Sequence, residues 1–432
     1  MSQERVEVIV VGAGPAGVAA ALTLARAGVE VVVLERGAYP GAKNVMGGIL
    51  YRQPTEELVP GFWREAPLER AIVEQRYLLL TDEDALGVTY RTPAFGQPPY
   101  NAFSVLRAEW DRWFAQQAEN AGALLATGVT VEDVLWEDGR IVGVRAGEQG
   151  ELYADVVILA DGANSLLAQK AGLAREWRPE EQALVAKELL RLSETEIERR
   201  FGVPPGQGVA IEAFGASTGG LLGYGFLYTN RDTVSVGTGA LLSDLITHEV
   251  NVSDLLDRFK RHPAIAPLLE GAELVEYSAH LIPEGGWRAL PTLFTDGALV
   301  VGDAAGFVNP LSREGSNFAM ISGKLAAETI LEARAAGDFS AFALSRYWQK
   351  LEESFILSDL ETIRNVTPFV HQRPYLLREY PEALARAFQH YLTVDGTPKA
   401  QKYRAIVREL MRDVRPTRLL RDVLAGVFQL AR

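Results

Sequence analysis

Apolar residues first gather at positions 8–11. The run is too short for a helix and rich in β-branched side chains, so it reads as a buried strand. The pattern then changes period. Residues 15–27 carry a helix that Gly28 ends, and 29–34 return to a strand. Further along, 72–81 and 87–92 have strand-like composition, 103–106 read as a strand and 110–121 as an amphipathic helix. Residues 124–134 and 141–146 flank the turn Glu137-Asp138-Gly139-Arg140, which predicts a β-hairpin. A strand at 154–159 runs into Ala160-Asp161-Gly162, before a helix capped by Asn164 or Ser165.

The next stretch differs in character. Strands at 209–214, 221–229 and 233–240 follow one another, with Asn230-Arg231-Asp232 as a turn. Helices are expected at 197–202 and 252–260, and one more strand at 273–282. The buried-strand pattern resumes at 299–301, followed by a strong helix over 318–336 and a mainly helical remainder that starts at 339–362. This order predicts an α/β protein with an α+β insert. The expected domains are a nucleotide-binding part at 1–174, an antiparallel-sheet domain at 175–293, a return segment at 294–337 and a helical C-terminal region at 338–432.

Between the first strand and helix stand Gly12, Gly14 and Gly17 in the spacing GxGxxG, with Pro15 and Ala16 opening the helix. Gly12 permits the tight turn, Gly14 lets backbone approach a pyrophosphate, and Gly17 lets helix pack on sheet. Glu35 closes the second strand, where a carboxylate can accept hydrogen bonds from a ribose diol. Strand, glycines, helix and acid together predict dinucleotide binding. Three other stretches carry candidate chemistry. Lys43 and Met46 lie in a loop with Gly47 and Gly48, which can pass close under a flat ring. Arg107 precedes a helix and can grip a pyrophosphate bidentately. Asp303, after Gly302 at a strand end, can accept from a sugar hydroxyl, and the helix start beyond it can stabilise anionic charge.

Composition narrows the field. The formal charge of −13 over 432 residues argues against a general nucleic-acid binder. No cleavable signal peptide and no apolar run of about 18 residues is expected. Cysteine is absent, so this chain can form no disulfide, thiolate metal site or Cys-ligated iron–sulfur cluster. No metal site is expected. The last 34 residues hold nine basic and three acidic residues, and Leu420, Val423, Leu424, Val427 and Phe428 fall on one helical face. Such a tail suits an anionic membrane, an acidic partner, or plain packing in the fold.

The glycine motif with Glu35, the Asp161-Gly162 turn and the Gly302-Asp303 segment occur in the order found in glutathione-reductase-type flavoproteins. Within these, GAKNVMGGILY, GFLYTNRDTVSVG, AHLIPEGG and GDAAGFVNPLSREGSNFAMISGKLA resemble the electron-transfer-flavoprotein:quinone oxidoreductase family in its FixC/EtfC form. The resemblance implies a glutathione-reductase-type fold with FAD as cofactor. By it, Gly12–Gly17 and Glu35 bind the ADP half, Arg107 the pyrophosphate, the backbone near Val131 the adenine and Asp303 the ribityl chain, with Arg36 a further cofactor-binding residue. Lys43, Met46, Gly47, Gly48, Pro310, Gly315, Ser316 and Asn317 would flank the isoalloxazine, with Asp161, Gly162 and Gly302 in the cofactor turns. Pro310-Leu311 departs from the more polar pair of the family. The sheet over 210–240 and the AHLIPEGG strand would border a quinone pocket, near which His280 is either a proton-transfer candidate or a structural histidine. Family members with a single chain carry a [4Fe–4S] domain. A chain without cysteine fits the split form, in which a ferredoxin-like FixX-type subunit holds the cluster.

The implied function is electron transfer from an electron-transfer flavoprotein (FixA/FixB-like subunits) to a quinone such as menaquinone, in a complex that can couple this step to electron bifurcation. The implied location is the cytoplasmic face of the cell membrane, peripherally attached. The alternatives are a geranylgeranyl-reductase-like or monooxygenase-like flavoenzyme acting on a small apolar substrate, and a non-catalytic flavin-binding scaffold.

Overall fold

The computed structural model describes residues 4–43, 48–414 and 416–430, without the side chains of 148, 416, 423 and 426–430. Met46 and Gly47 lie outside the described residues. The chain divides into two compact units. The first comprises 1–69, 100–182 and 281–361; the second comprises 70–99, 183–280 and 362–432.

In the first unit five parallel strands lie in the order Ala298–Val300, Glu151–Leu159, Arg5–Val11, Val31–Glu35 and Leu124–Thr127. Val10 pairs with Ile158 on one side and Val33 on the other, and all three are fully or almost fully buried. Two-sided burial is why these strands are continuous Val/Ile/Leu runs. Helix α1, Pro15–Arg26, follows the central strand, α2 spans Arg107–Asn120 and α3 spans Ser316–Ala336. Helices α1 and α3 pack so closely that a Cβ on Gly323 would lie 2.0 Å from the Ala16 carbonyl oxygen. At Gly12 the backbone takes φ +103°, and a Cβ there would lie 2.3 Å from the Ala160 carbonyl oxygen. The second turn thus runs directly against the first.

Two expectations shift. The hairpin forms, but its arms are Asp133–Glu137 and Arg140–Arg145. The 124–127 portion joins the parallel sheet instead, because its backbone pairs with Val32–Glu35. The helix after Asp161-Gly162 starts at Leu166, and neither Asn164 nor Ser165 caps it through its side chain. The Leu167 amide donates to Asp161 Oδ2 at 2.8 Å, while the Ser165 hydroxyl donates to the Ala304 carbonyl at 3.0 Å.

In the second unit the sheet runs Glu273–Pro283, Gln182–Arg191, Thr233–Leu241, Gly223–Thr229, Gln207–Gly215, Leu68–Leu80, Ala85–Arg91. The pairing of Gln207–Gly215 with Leu68–Leu80 is parallel, where an antiparallel sheet was expected. It draws residues 70–99 into this unit, away from the first nucleotide-binding segment. Helix Val252–Arg261 buries Leu255, Leu256 and Phe259 among Val209, Ile211, Val234 and Val236. The C-terminal helices are α4 Val366–His371, α5 Tyr375–Leu392, α6 Lys399–Asp413 and α7 Pro416–Leu430. The helical stretch expected from 339–362 forms as Ala341–Leu344, Arg346–Glu353 and Phe355–Ile363, with Ser340 capping the first.

Candidate functional site

The carboxyl ends of four strands of the parallel sheet border the candidate site. In open α/β sheets ligands settle there, where the connections diverge to the two faces. The central strand ends at Val11, its neighbours at Leu159 and Glu35, and the edge strand at Val300. Each leads straight into a predicted segment: Gly12–Gly17, Ala160-Asp161-Gly162, Glu35-Arg36, and Gly302-Asp303.

Glu35 is fixed by two backbone donors, Ala13 N–H to Oε2 at 2.9 Å and Gly37 N–H to Oε1 at 2.6 Å. Each oxygen keeps lone-pair capacity for a further donor. The Val129 amide donates to the Glu35 carbonyl and the Gly128 amide to the Gly37 carbonyl, which brings the 128–131 segment alongside Glu35. Gly14 is the N-cap of α1 and no side chain caps it. The Ala16 and Gly17 amides precede the first intrahelical bond, Val18 to Gly14, and stay free for an anion. A Cβ on Gly14 would meet nothing within 4 Å. The same holds for Gly315, the uncapped N-cap of α3, ahead of the amides of Ser316 and Asn317.

Arg107 is the first residue of α2 and is buried. Its guanidinium donates to both carboxylate oxygens of Asp111, at 2.7 and 3.0 Å, and to the Ser316 hydroxyl at 3.2 Å. The helical i,i+4 spacing makes this fork possible. Gly302 lies against α1 and α3, since a Cβ there would meet Ala16 Cβ at 2.8 Å and Ala319 Cβ at 3.6 Å. Burial pushes the neighbouring Asp303 carboxyl up to about 6, with Arg107 pulling it the other way. Asp161 is likewise raised by burial, and Arg36 opposes the shift. Asp161 Oδ1 is buried without a hydrogen-bond partner among the described residues.

The structure therefore gathers the α1 turn, Glu35, Arg107, Asp303, Ser316 and the Asp161 turn. Gly48 joins them through Val105, whose amide donates to the Gly48 carbonyl at 2.7 Å. Lys43 is exposed, and Pro310 is half-buried in the loop that the Asn309–Glu314 bridge closes. His280 is half-buried on the Glu273–Pro283 strand of the other unit.

Two participants and one nearby feature of the chain were not anticipated. Asp111 was legible as an acid four residues after Arg107. Trp177 lies over the Gly302–Gly306 turn: its indole donates to the Ser165 hydroxyl at 3.3 Å, and a Cβ on Gly306 would meet its ring at 3.0 Å. Glu284, which follows the edge strand Glu273–Pro283 and donates its amide to the Glu181 carbonyl at 2.7 Å, is a separate feature whose carboxyl burial pushes up to about 7. Neither of these two has a signal in the sequence, because both depend on distant segments.

The residues fit FAD. Two helix N-termini with open space above them suit its anionic groups, a fixed carboxylate suits the ribose, and a buried acceptor without a partner awaits a donor. The fold and site define an FAD-dependent oxidoreductase, and residues 7–214 match the family description "FAD dependent oxidoreductase". Residues 366–429 match the "ETF-QO/FixC family C-terminal domain". The chain is 43% identical over its full length to FixC of Bradyrhizobium diazoefficiens, covering 99% of that protein. It is 45% identical to FixC of Azotobacter vinelandii over 94% of this chain and 95% of the relative. It is 38% identical to YdiS of Escherichia coli, a probable electron transfer flavoprotein-quinone oxidoreductase, over all of both chains. The chain belongs to the electron-transfer-flavoprotein:quinone oxidoreductase/FixC family, and with it to the FAD oxidoreductases of electron transfer. Among solved structures it is similar to a geranylgeranyl bacteriochlorophyll reductase-like protein from Thermoplasma acidophilum. The TM-score is 0.74 at 18% identity, over 96% of this chain and 98% of the other, a likeness of fold.

Proposed function

We propose that this chain passes electrons from an electron-transfer flavoprotein to a membrane quinone, as the quinone-reducing subunit of a FixABCX-like complex. The observation that carries the reading is the full-length similarity to the FixC proteins and to YdiS. The chain has no cysteine, so any iron–sulfur cluster in such a complex sits in a separate ferredoxin-like subunit. FAD bound in the first unit supplies the electron-carrying ring. The α1 amides and Arg107 hold its pyrophosphate, Glu35 its ribose and Asp303 its ribityl hydroxyls. Gly48 and the Gly315–Asn317 turn border the ring. The N-terminus of α3 biases that border toward negative charge.

Anaerobic stopped-flow absorbance tests the reading. The chemically reduced holoprotein is mixed with a short-chain menaquinone analogue. Fast reoxidation is expected, and the oxidised form should be inert to NADH alone. Direct reduction by NADH or NADPH, or no reaction with quinone, would replace this reading with that of a substrate reductase or monooxygenase.

A further inference from the structure

We propose that Trp177 is a positioning residue for the cofactor site. It clamps the Gly302–Gly306 turn with its ring and, by way of the Ser165 hydroxyl, with its indole N–H. This deepens the FAD reading and rests on Asp303, in the same turn, as a cofactor residue.

Trp177 stands on an arch of the first unit, residues 173–181. At one foot the Thr292 amide donates to the Leu173 carbonyl at 2.8 Å. At the other the Glu284 amide donates to the Glu181 carbonyl at 2.7 Å. Glu181 also ties the arch to itself. Its two carboxylate oxygens each accept from Arg175 at 2.6 Å, and one of them accepts from Arg178 at 2.6 Å. Over 175–180 every residue is exposed except Trp177, which is half-buried. One large ring turned inward from a solvated, doubly anchored arch has a contact to make.

That contact is the turn. A Cβ on Gly306 would lie 3.0 Å from the indole, so the ring rests against the Gly306 backbone. The indole N–H donates to Ser165 Oγ at 3.3 Å, and the Ser165 hydroxyl donates to the Ala304 carbonyl at 3.0 Å. A hydroxyl that accepts one hydrogen bond and donates another polarises both. Ser165 is fully buried and stands at φ +50°. Glycine would relieve that left-handed backbone, but it has no hydroxyl. The strain is accounted for by the link that the side chain makes between arch and turn.

The turn needs such a hold. It is a short helical turn, Gly302–Ala305, bounded by Gly302 at φ +63° and Gly306 at φ +73°, neither of which has a side chain to anchor it. At its start the Gly302 amide donates to the buried Ser322 hydroxyl at 3.0 Å. At its far end the ring on Gly306 and the bond to Ala304 do the same work. Asp303 lies between these two fixed points, so its carboxyl is presented from a backbone held on both sides.

The test uses the full chain. Trp177→Ala removes ring and N–H, Trp177→Phe keeps a ring, and Ser165→Gly relieves the backbone while removing the hydroxyl. In the FAD-free chain the Gly306 and Phe307 amides donate to the Asp303 and Gly302 carbonyls. Their hydrogen exchange should quicken about tenfold in Trp177→Ala and Ser165→Gly, and less in Trp177→Phe. Exchange in the central strand Arg5–Val11 should not change, which separates a loosened turn from a lost fold. The FAD dissociation constant should rise about tenfold in the same two variants. The deciding readout is the double variant Trp177→Ala/Asp303→Asn. A residue that acts by placing Asp303 should cost little further affinity once Asp303 is replaced. If each single variant weakens FAD and the two losses multiply, the proposal is overturned. Unchanged exchange at the turn in Trp177→Ala overturns it as well, as does full FAD affinity in a Trp177→Ala chain whose turn exchanges faster. If Asp303→Asn alone leaves FAD affinity intact while exchange at the turn responds to Trp177, the clamp stands and the reading of Asp303 falls.

Discussion

At the scale of single residues, the Arg107–Asp111 pair shows what a cofactor site costs the empty protein. Both side chains are buried, so each charge depends on the other. Removing one partner of a buried pair typically costs about 3–5 kcal/mol, because it strands the remaining charge. A bound pyrophosphate would supply Arg107 with a second counter-ion. Asp111→Asn is therefore expected to destabilise the FAD-free chain by about 3 kcal/mol and the FAD-loaded chain by clearly less. Urea unfolding with and without FAD measures the difference, and equal losses would remove Arg107 from the pyrophosphate site. Arg107 itself was legible from its place ahead of a helix. That its fork is shared between Asp111 and the Ser316 hydroxyl was not, because 209 residues separate Arg107 from Ser316.

At the scale of elements, the glycines of the first turn were legible because their spacing carries a geometric demand. The close approach of α1 to α3 was not, since it depends on Gly323, one small residue in a helix of ordinary composition. A side chain there would collide with the Ala16 carbonyl, in the turn proposed to present its amides to phosphate. Gly323→Val should force the helices apart. The expected result is a loss of about 3 kcal/mol or more, from overpacking against backbone that cannot yield. FAD affinity should fall with it, read by fluorescence titration of the FAD-free chain. Gly323→Ala should lose stability too, because the clash is made by the Cβ that every other residue carries. Unaltered FAD affinity in Gly323→Val would detach the helix contact from the phosphate turn. Asp161 teaches the complementary point. The sequence offers Asn164 and Ser165 as nearer caps, yet tertiary contacts take Ser165 away to Ala304 and leave the capping to Asp161.

At the scale of the molecule, strands and helices were mostly readable from period, while their allocation to units was not. Residues 68–80 look like any strand, and only their parallel pairing with 207–215 sends them to the second unit. The strand at 182–191 was missed because its alternation is broken by Lys187 and Glu188. Charge burial has a global consequence that the sequence also hides. Burial raises Asp303 to about 6 and Glu284 to about 7. In the folded FAD-free chain both hold protons that the unfolded chain releases nearer its ordinary carboxylate range. Folding then takes up protons between about pH 4 and 7, so stability from these groups falls as pH rises through that window. Glu181 acts in the opposite sense. Burial disfavours its charge, but Arg175 and Arg178 hold it down to about 2, so its contribution is lost as pH falls below about 4.5. The FAD-free chain should accordingly be most stable near pH 4–5 as far as these groups decide it. Asp303→Asn and Glu284→Gln should flatten the limb between pH 5 and 7, raising stability at pH 7 by on the order of 2 kcal/mol each. Urea unfolding across this range measures both slopes. On the proposed reading, Asp303→Asn should at the same time weaken FAD binding, since one carboxylate acceptor oxygen becomes an amide donor. A variant more stable when empty yet poorer at holding FAD would show that this half-buried acid is kept for the cofactor at the expense of the fold. If Asp303→Asn lowers stability at pH 7 instead, its carboxylate is serving the empty fold and the assignment to the cofactor fails.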